Sequence, residues 1–172
     1  MVSAGRVVSA SMKRDDRGPD GNGDAEGRRQ AMAAFAQGEA GFLAEAWERM
    51  AGGRLALPVR GPEVGLVMIR GRMGGGGAPF NLGEASVTRA SVRLDDAAGA
   101  ITGHAMIMGR DLDKARFAAS LDALWQIEGE RARVEAEVVT PIMARLAESD
   151  AKRAEETAAT RVDFFTMVRG DD

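Results

Sequence analysis

Residues 64–108 hold three strand-like runs, VGLVMIRGRM (64–73), ASVTRASVRL (85–94) and AGAITGHAMIM (98–108), with turn residues between them. Period-two alternation and the intervening turn residues mark them as strands of a mostly antiparallel sheet. The last two runs are expected to form a hairpin across the polar turn Asp95-Asp96, and a glycine-rich loop links the first two. Leu55 to Arg60 reads as a further strand closed by Gly61-Pro62. Near the terminus, Val162, Phe164, Phe165, Met167 and Val168 have the composition of a closing strand over Arg161–Val168. Phe164 and Phe165 are two of only eight aromatics in the chain, six Phe and two Trp. Leaving that run in water forfeits several kcal/mol at roughly 25 cal/mol per Å², so it must dock against something.

Helices flank this sheet. Met32 and Phe35, then Leu43, Trp47 and Met50, recur at helical spacing and predict two short amphipathic helices parted near Gly38, the second stopped by Gly52-Gly53. Asp111 is a good N-cap for a helix carrying Phe117, Leu121 and Leu124 to about Gly129. A stripe at Val134 and Val138 meets Thr140-Pro141, a pair suited to N-cap and first helical position, so a new helix with Ile142 and Leu146 inward is expected there. Residues 1–27 contain five glycines, Pro19 and charges of both signs without Leu, Ile or aromatics, the composition of a disordered extension. The expected architecture is one α+β domain over 28–172, a mostly antiparallel sheet of four to five strands packed with helices from both ends of the chain.

Composition narrows the function classes. A net charge of -3 argues against a dedicated nucleic-acid binder, and the aromatic rings that grip single strands are too few. The absence of cysteine excludes disulfides, thiolate zinc sites and iron-sulfur clusters held by this chain alone. No apolar run reaches the roughly 18 to 20 residues that span a bilayer, so no membrane association and a cytoplasmic location are the expectations.

Several residues are candidates for chemistry. Arg70 and Arg72 share one face of their strand, as do Arg89, Ser91 and Arg93 of theirs, and guanidinium forks suit phosphate oxygens. Together they form an anion patch if the two faces coincide; otherwise they are a solvated outer face or hold carboxylates of a partner. Consecutive amides of Gly74, Gly75 and their neighbours can cradle an anion or serve as a plain connecting loop, for the run has neither a P-loop's Lys-Ser/Thr nor a dinucleotide fingerprint. His104, the single histidine, has no Ser, Cys or paired carboxylate near it in sequence and reads as packed or surface. Asp111, Asp113 and Asp122 are explained by capping and a helix's polar face. No catalytic residue and no metal site is expected.

The terminal RVDFFTMVRGD (161–171), taken with GLVMIRGRMGGGG (65–77) and ASVTRASVRL (85–94), strongly resembles the PhnG family, the G subunit of the bacterial carbon-phosphorus lyase system. The likeness runs from about Gly65 to Asp171. Gly109-Arg110-Asp111 and LDAL (121–124) fit it, whereas the N-terminal extension and the four-glycine run depart from it. The resemblance implies work with the H, I and L subunits in replacing the adenine of ATP by methylphosphonate, giving ribose 1-methylphosphonate 5-triphosphate for radical cleavage by the J subunit. It also implies a core complex with subunits H, I and J, with nucleosidase chemistry in subunit I. ATP is then a co-substrate of the complex, while the iron-sulfur cluster and S-adenosylmethionine belong to the J subunit and no cofactor to this chain. Three roles follow as expectations: a scaffold docked through Val162, Phe164, Phe165 and Met167; a donor of Arg72, Arg89 and Arg93, with Gly74 and Gly75, to the triphosphate or phosphonate site; or an independent nucleotide-binding module.

Overall fold

The computed structural model describes residues 20–159, apart from 75, 97 and 98. In chain order these form α1 (Asp20–Gln37), α2 (Ala40–Met50), β1 (Leu57–Arg72), β2 (Pro79–Asp96), β3 (Gly99–Met108), α3 (Leu112–Trp125), α4 (Glu128–Val134), a π-helical turn (Glu135–Val139) and α5 (Thr140–Ala159). The sheet is antiparallel in the order β1-β2-β3. The α+β class therefore stands, with three strands among the described residues instead of four to five. Leu55–Arg60 and 64–73 are not separate strands: β1 passes through Gly61-Pro62 as an irregularity in its pairing with β2. The terminal run 161–168 lies outside the described residues.

Alternation along β2 decides where the core sits. Thr88, Ala90, Val92 and Leu94 are buried while Arg89 and Arg93 are exposed, so one face meets the helices and the other faces water. Against the inner face lies α3, whose Asp111 cap accepts from the Lys114 amide at 2.8 Å, as its sequence position suggests. The helix ends at Trp125, short of Gly129, and a turn leads into α4. Phe35, Leu43, Trp47 and Met50 of the first two helices join the same core, together with Val134, Val138 and Ile142.

Thr140-Pro141 does not begin a new helix after a break. Thr140 has helical dihedrals (φ -58, ψ -48) and its amide bonds to Glu135 O, five residues back. Proline removes a donor and crowds the carbonyl four residues earlier; the widened π turn absorbs that conflict and lets the helix continue. The first helix also starts earlier than expected. Residues 20–27, assigned from composition to a disordered extension, are the first turns of α1, held by Asp24 to Arg131 at 2.8 Å and by Arg28 to Asp122.

Asp122 departs most from its expected place on a polar helix face. Its side chain is 0% exposed, takes both Arg28 Nε (2.9 Å) and Nη2 (2.8 Å), and accepts the His104 amide at 2.8 Å. One carboxylate thereby joins α1, α3 and β3. The hydrogen bonds to Asp122 raise the Arg28 pKa above its ordinary value, outweighing the desolvation that opposes it. Close approach of α3 to β3 depends on Gly103, where an added Cβ would lie 2.0 Å from Ala119 O and 2.5 Å from Ala123 N.

Two stability measurements test this packing. Gly103→Ala forces helix backbone away from strand and is expected to cost about 3 kcal/mol or more in urea unfolding, at or beyond the upper end of ordinary overpacking. Asp122→Ala leaves a guanidinium and a strand amide without their acceptor, and is expected to cost about 2–3 kcal/mol in the same assay. A loss below about 0.5 kcal/mol in either variant, the usual range of surface substitutions, would contradict the corresponding packing.

Candidate functional site

Strand register, not strand composition alone, assembles the site. The β2–β3 ladder pairs Asp96 with Gly99, Ser91 with His104 and Arg89 with Met106. On the other side of β2, Ser91 lies opposite Arg60 and Arg89 opposite Glu63. Two rows across three strands, Arg60-Ser91-His104 and Glu63-Arg89-Met106, thus share the outer face.

In a regular strand residues three apart point to opposite faces, which would send Arg60 and Glu63 apart. Gly61-Pro62 changes that parity: three steps on β1 match two on β2, so both side chains emerge on the outer side. Gly61 has φ +68, and a Cβ there would stand 2.7 Å from Arg89 O, so glycine meets both the conformational and the steric demand. Glu63 Oε1 accepts from Arg60 Nε at 2.8 Å and from Arg89 Nε at 2.7 Å. Beside this trio Ser91 Oγ lies 2.9 Å from His104 Nδ1, and the His104 amide is anchored to Asp122.

The arginines named from sequence do not form one patch. Arg70 pairs with Asn81 and Arg72 with Pro79, at the far end of the β1–β2 hairpin. Eight residues of β2 separate Asn81 from Arg89, about 26 Å at 3.3 Å per residue. Arg72 instead donates through Nη1 to Gly77 O at 3.2 Å, bracing the hairpin tip that holds Gly74; Gly75 lies outside the described residues. Arg93 stays on the outer face and pairs with Asp95 at 3.1 Å. Val162, Phe164, Phe165 and Met167 also lie outside the described residues.

Arg60, Glu63 and the Ser91–His104 contact were missed for traceable reasons. Reading Asp95-Asp96 as the hairpin turn shifts the register by four residues from the observed pairing of Asp96 with Gly99, which sets Ser91 opposite His104. The signal for Glu63 was Gly61-Pro62 itself, a pair that marks an irregularity as readily as an end.

Hydrogen bonds from Arg60 first, then from Arg89, hold the Glu63 carboxyl below its ordinary value. Because the folded pKa is depressed, its contribution to stability is present above the unfolded value and lost as pH falls through the folded one. An NMR titration of the Glu63 side-chain carboxyl is expected to show a midpoint below the ordinary glutamate range, moved upward in Arg60→Ala and in Arg89→Ala. A midpoint indifferent to both substitutions would contradict the three-residue arrangement.

No helix among the described residues is long and apolar enough to cross a membrane. The family model of phosphonate metabolism protein PhnG matches residues 26–170. A relative from Rhizobium meliloti (strain 1021), alpha-D-ribose 1-methylphosphonate 5-triphosphate synthase subunit PhnG, is 52% identical over 145 residues, covering 84% of this chain and 90% of the relative. The matched region contains every strand among the described residues, both paired rows of the outer face and Asp122 with its partners, so the chain belongs to the PhnG family of phosphonate metabolism proteins.

Proposed function

We propose that this chain is a non-catalytic subunit of the carbon-phosphorus lyase core complex. It acts with subunits H, I and L in the transfer of methylphosphonate to the ribose C1 of ATP with release of adenine. Subunits I, H and J are its partners in the core, and its own contribution is to dock and shape a neighbour's site.

The observation that carries this reading is the distal half of the β1–β2 hairpin. Because β3 ends at Met108, opposite Val87, and the Gly109 amide makes the last bond on that side, to Ser86 O, residues 79–85 of β2 pair only with β1. An isolated two-stranded ribbon is marginal in water, and this one is apolar. Val64, Leu66 and Met68 continue the inner face of the sheet beyond the helices, with Val64 opposite the buried Thr88. Leu66 is 61% exposed and Leu82 66%, with Met68, Ile69 and Phe80 also open to solvent. A contiguous apolar surface continuing from the core, on an arm with an unpaired outer edge along β1, is the surface expected of a subunit. The Rhizobium relative's name, a synthase subunit, supports the same reading.

Co-purification of tagged chain with subunit I from cells induced for phosphonate use tests it. Leu66→Asp combined with Leu82→Asp is expected to weaken association by about 30-fold or more, about 2 kcal/mol, the scale of an interface hot spot. The fold should survive, since both side chains point to water. Phe164→Asp with Phe165→Asp in the same assay separates the arm's contribution from the terminal run's. Full recovery of subunit I with the arm variant would remove the arm as the contact.

A further inference from the structure

Arg60, Arg89, Ser91 and His104 line a groove of about 290 Å³ that also includes Met32 of α1 and Met106 of β3. An adjoining hollow of about 230 Å³ shares Met32, His104 and Met106 and continues past Phe35 and Ile107 to Ala118. The polar groups gather at one end, and the remainder is apolar.

Glu63 takes only Nε from each guanidinium; the terminal nitrogens of Arg60 and Arg89 have no hydrogen-bond partner among the described residues. The carboxylate thus fixes two forks without occupying them, and two arginines with one glutamate leave the trio at a charge of +1. Ser91 and His104 add a neutral donor in either tautomer. When Nδ1 accepts from the Ser91 hydroxyl, Nε2 carries the proton; when Nδ1 donates, the hydroxyl proton is left over. Two forks and a third donor exceed what the two oxygens of a carboxylate can use, and they suit the three oxygens of a phosphoryl-type group.

We propose that this groove is a binding site for a small dianionic tetrahedral oxyanion, a phosphate ester or a phosphonate, whose apolar substituent lies against Met32 and Met106. Arg60 and Arg89 hold the oxygens, Glu63 positions the two arginines, and the Ser91–His104 pair supplies the third donor. Together the two hollows lie near the lower end of ligand-pocket volumes, about 300 Å³ upward, which favours a compact ligand over a nucleoside triphosphate. The site stands apart from the docking arm and does not depend on the docking role.

The full chain would be titrated with phenyl phosphate, phenylphosphonate, inorganic phosphate and benzoate while the amide NMR signals of Ser91, His104 and Met106 are followed. Saturable shifts at these amides with phenyl phosphate or phenylphosphonate are expected, with weaker binding of inorganic phosphate, and the tighter of the two phenyl compounds identifies the source chemistry. Arg60→Ala and Arg89→Ala should each weaken binding by about tenfold or more, the scale of a charge-assisted hydrogen bond. Arg93→Ala, on the same face but paired with Asp95, should change it by less than about twofold, within the small effect of an exposed charge. Overlay of the variant spectra on the parent's away from the substitution verifies the fold. Unshifted amides in the parent protein overturn the proposal, as does equal weakening in all three variants, which signals diffuse positive charge. Benzoate binding as tightly as the phenyl phosphate also overturns it.

Discussion

Asp122 carries the constraint on which the arrangement rests. A carboxylate without solvent exposure is costly unless paired and fully hydrogen-bonded, and its partners here come from two other elements, Arg28 of α1 and the His104 amide of β3. The position of α3 therefore fixes the other two. Gln126, the residue that closes α3, donates through Nε2 to Thr102 O at 2.9 Å, so α3 and its cap satisfy two polar groups of β3. The β3 side of the sheet is thereby tied to the helical layer. The outer edge of β1 has no strand beside it among the described residues. That asymmetry separates a protected side of the sheet from one available to another chain.

Small residues make the asymmetry physically attainable. Ala115, Ala118, Ala119 and Ala123 of α3 and Ala90, Gly103 and Ala105 of the sheet leave little side-chain volume between the layers. Backbone comes close to backbone at Gly103, while Leu94 and Ile107 of the sheet, Leu121 and Leu124 of α3, and Phe35, Leu43, Met50 and Val138 from the surrounding helical segments fill the rest of the core. With the inner face covered this way, the outer face keeps its polar row of Arg60, Glu63, Arg89, Ser91 and His104.

Local signals are legible in this sequence and distant ones are not. Period-two alternation gave the outward face of Arg89, Ser91 and Arg93, and Asp111 was legible as a cap because its acceptor and donor lie three residues apart. The Arg28–Asp122 pair joins positions 94 residues apart, and nothing in either neighbourhood distinguishes Asp122 from the exposed Asp113. Composition assigned 20–27 to disorder because its helix is stabilised by distant partners, Arg131 and Asp122, more than by its own apolar content. Family resemblance reached further than residue patterns. RMGG and TRASVRL pointed to the PhnG family, yet the arginines within those motifs lie at opposite ends of a hairpin.

Gly61-Pro62 is where these separate threads meet. On its core-proximal side, β1 is part of a three-stranded sheet braced by helices; beyond it, the strand soon becomes half of a ribbon exposing Leu66 and Met68. Its altered parity also brings Glu63 beside Arg60 and within reach of Arg89, so the same irregularity that begins the arm also builds the polar row. Gly61 packs against the Arg89 carbonyl with no room even for a methyl group, so close packing at this one position joins the irregularity of β1 to the β2 residue that carries Arg89. One glycine therefore stands both where β1 leaves its regular pairing and against the backbone that carries Arg89.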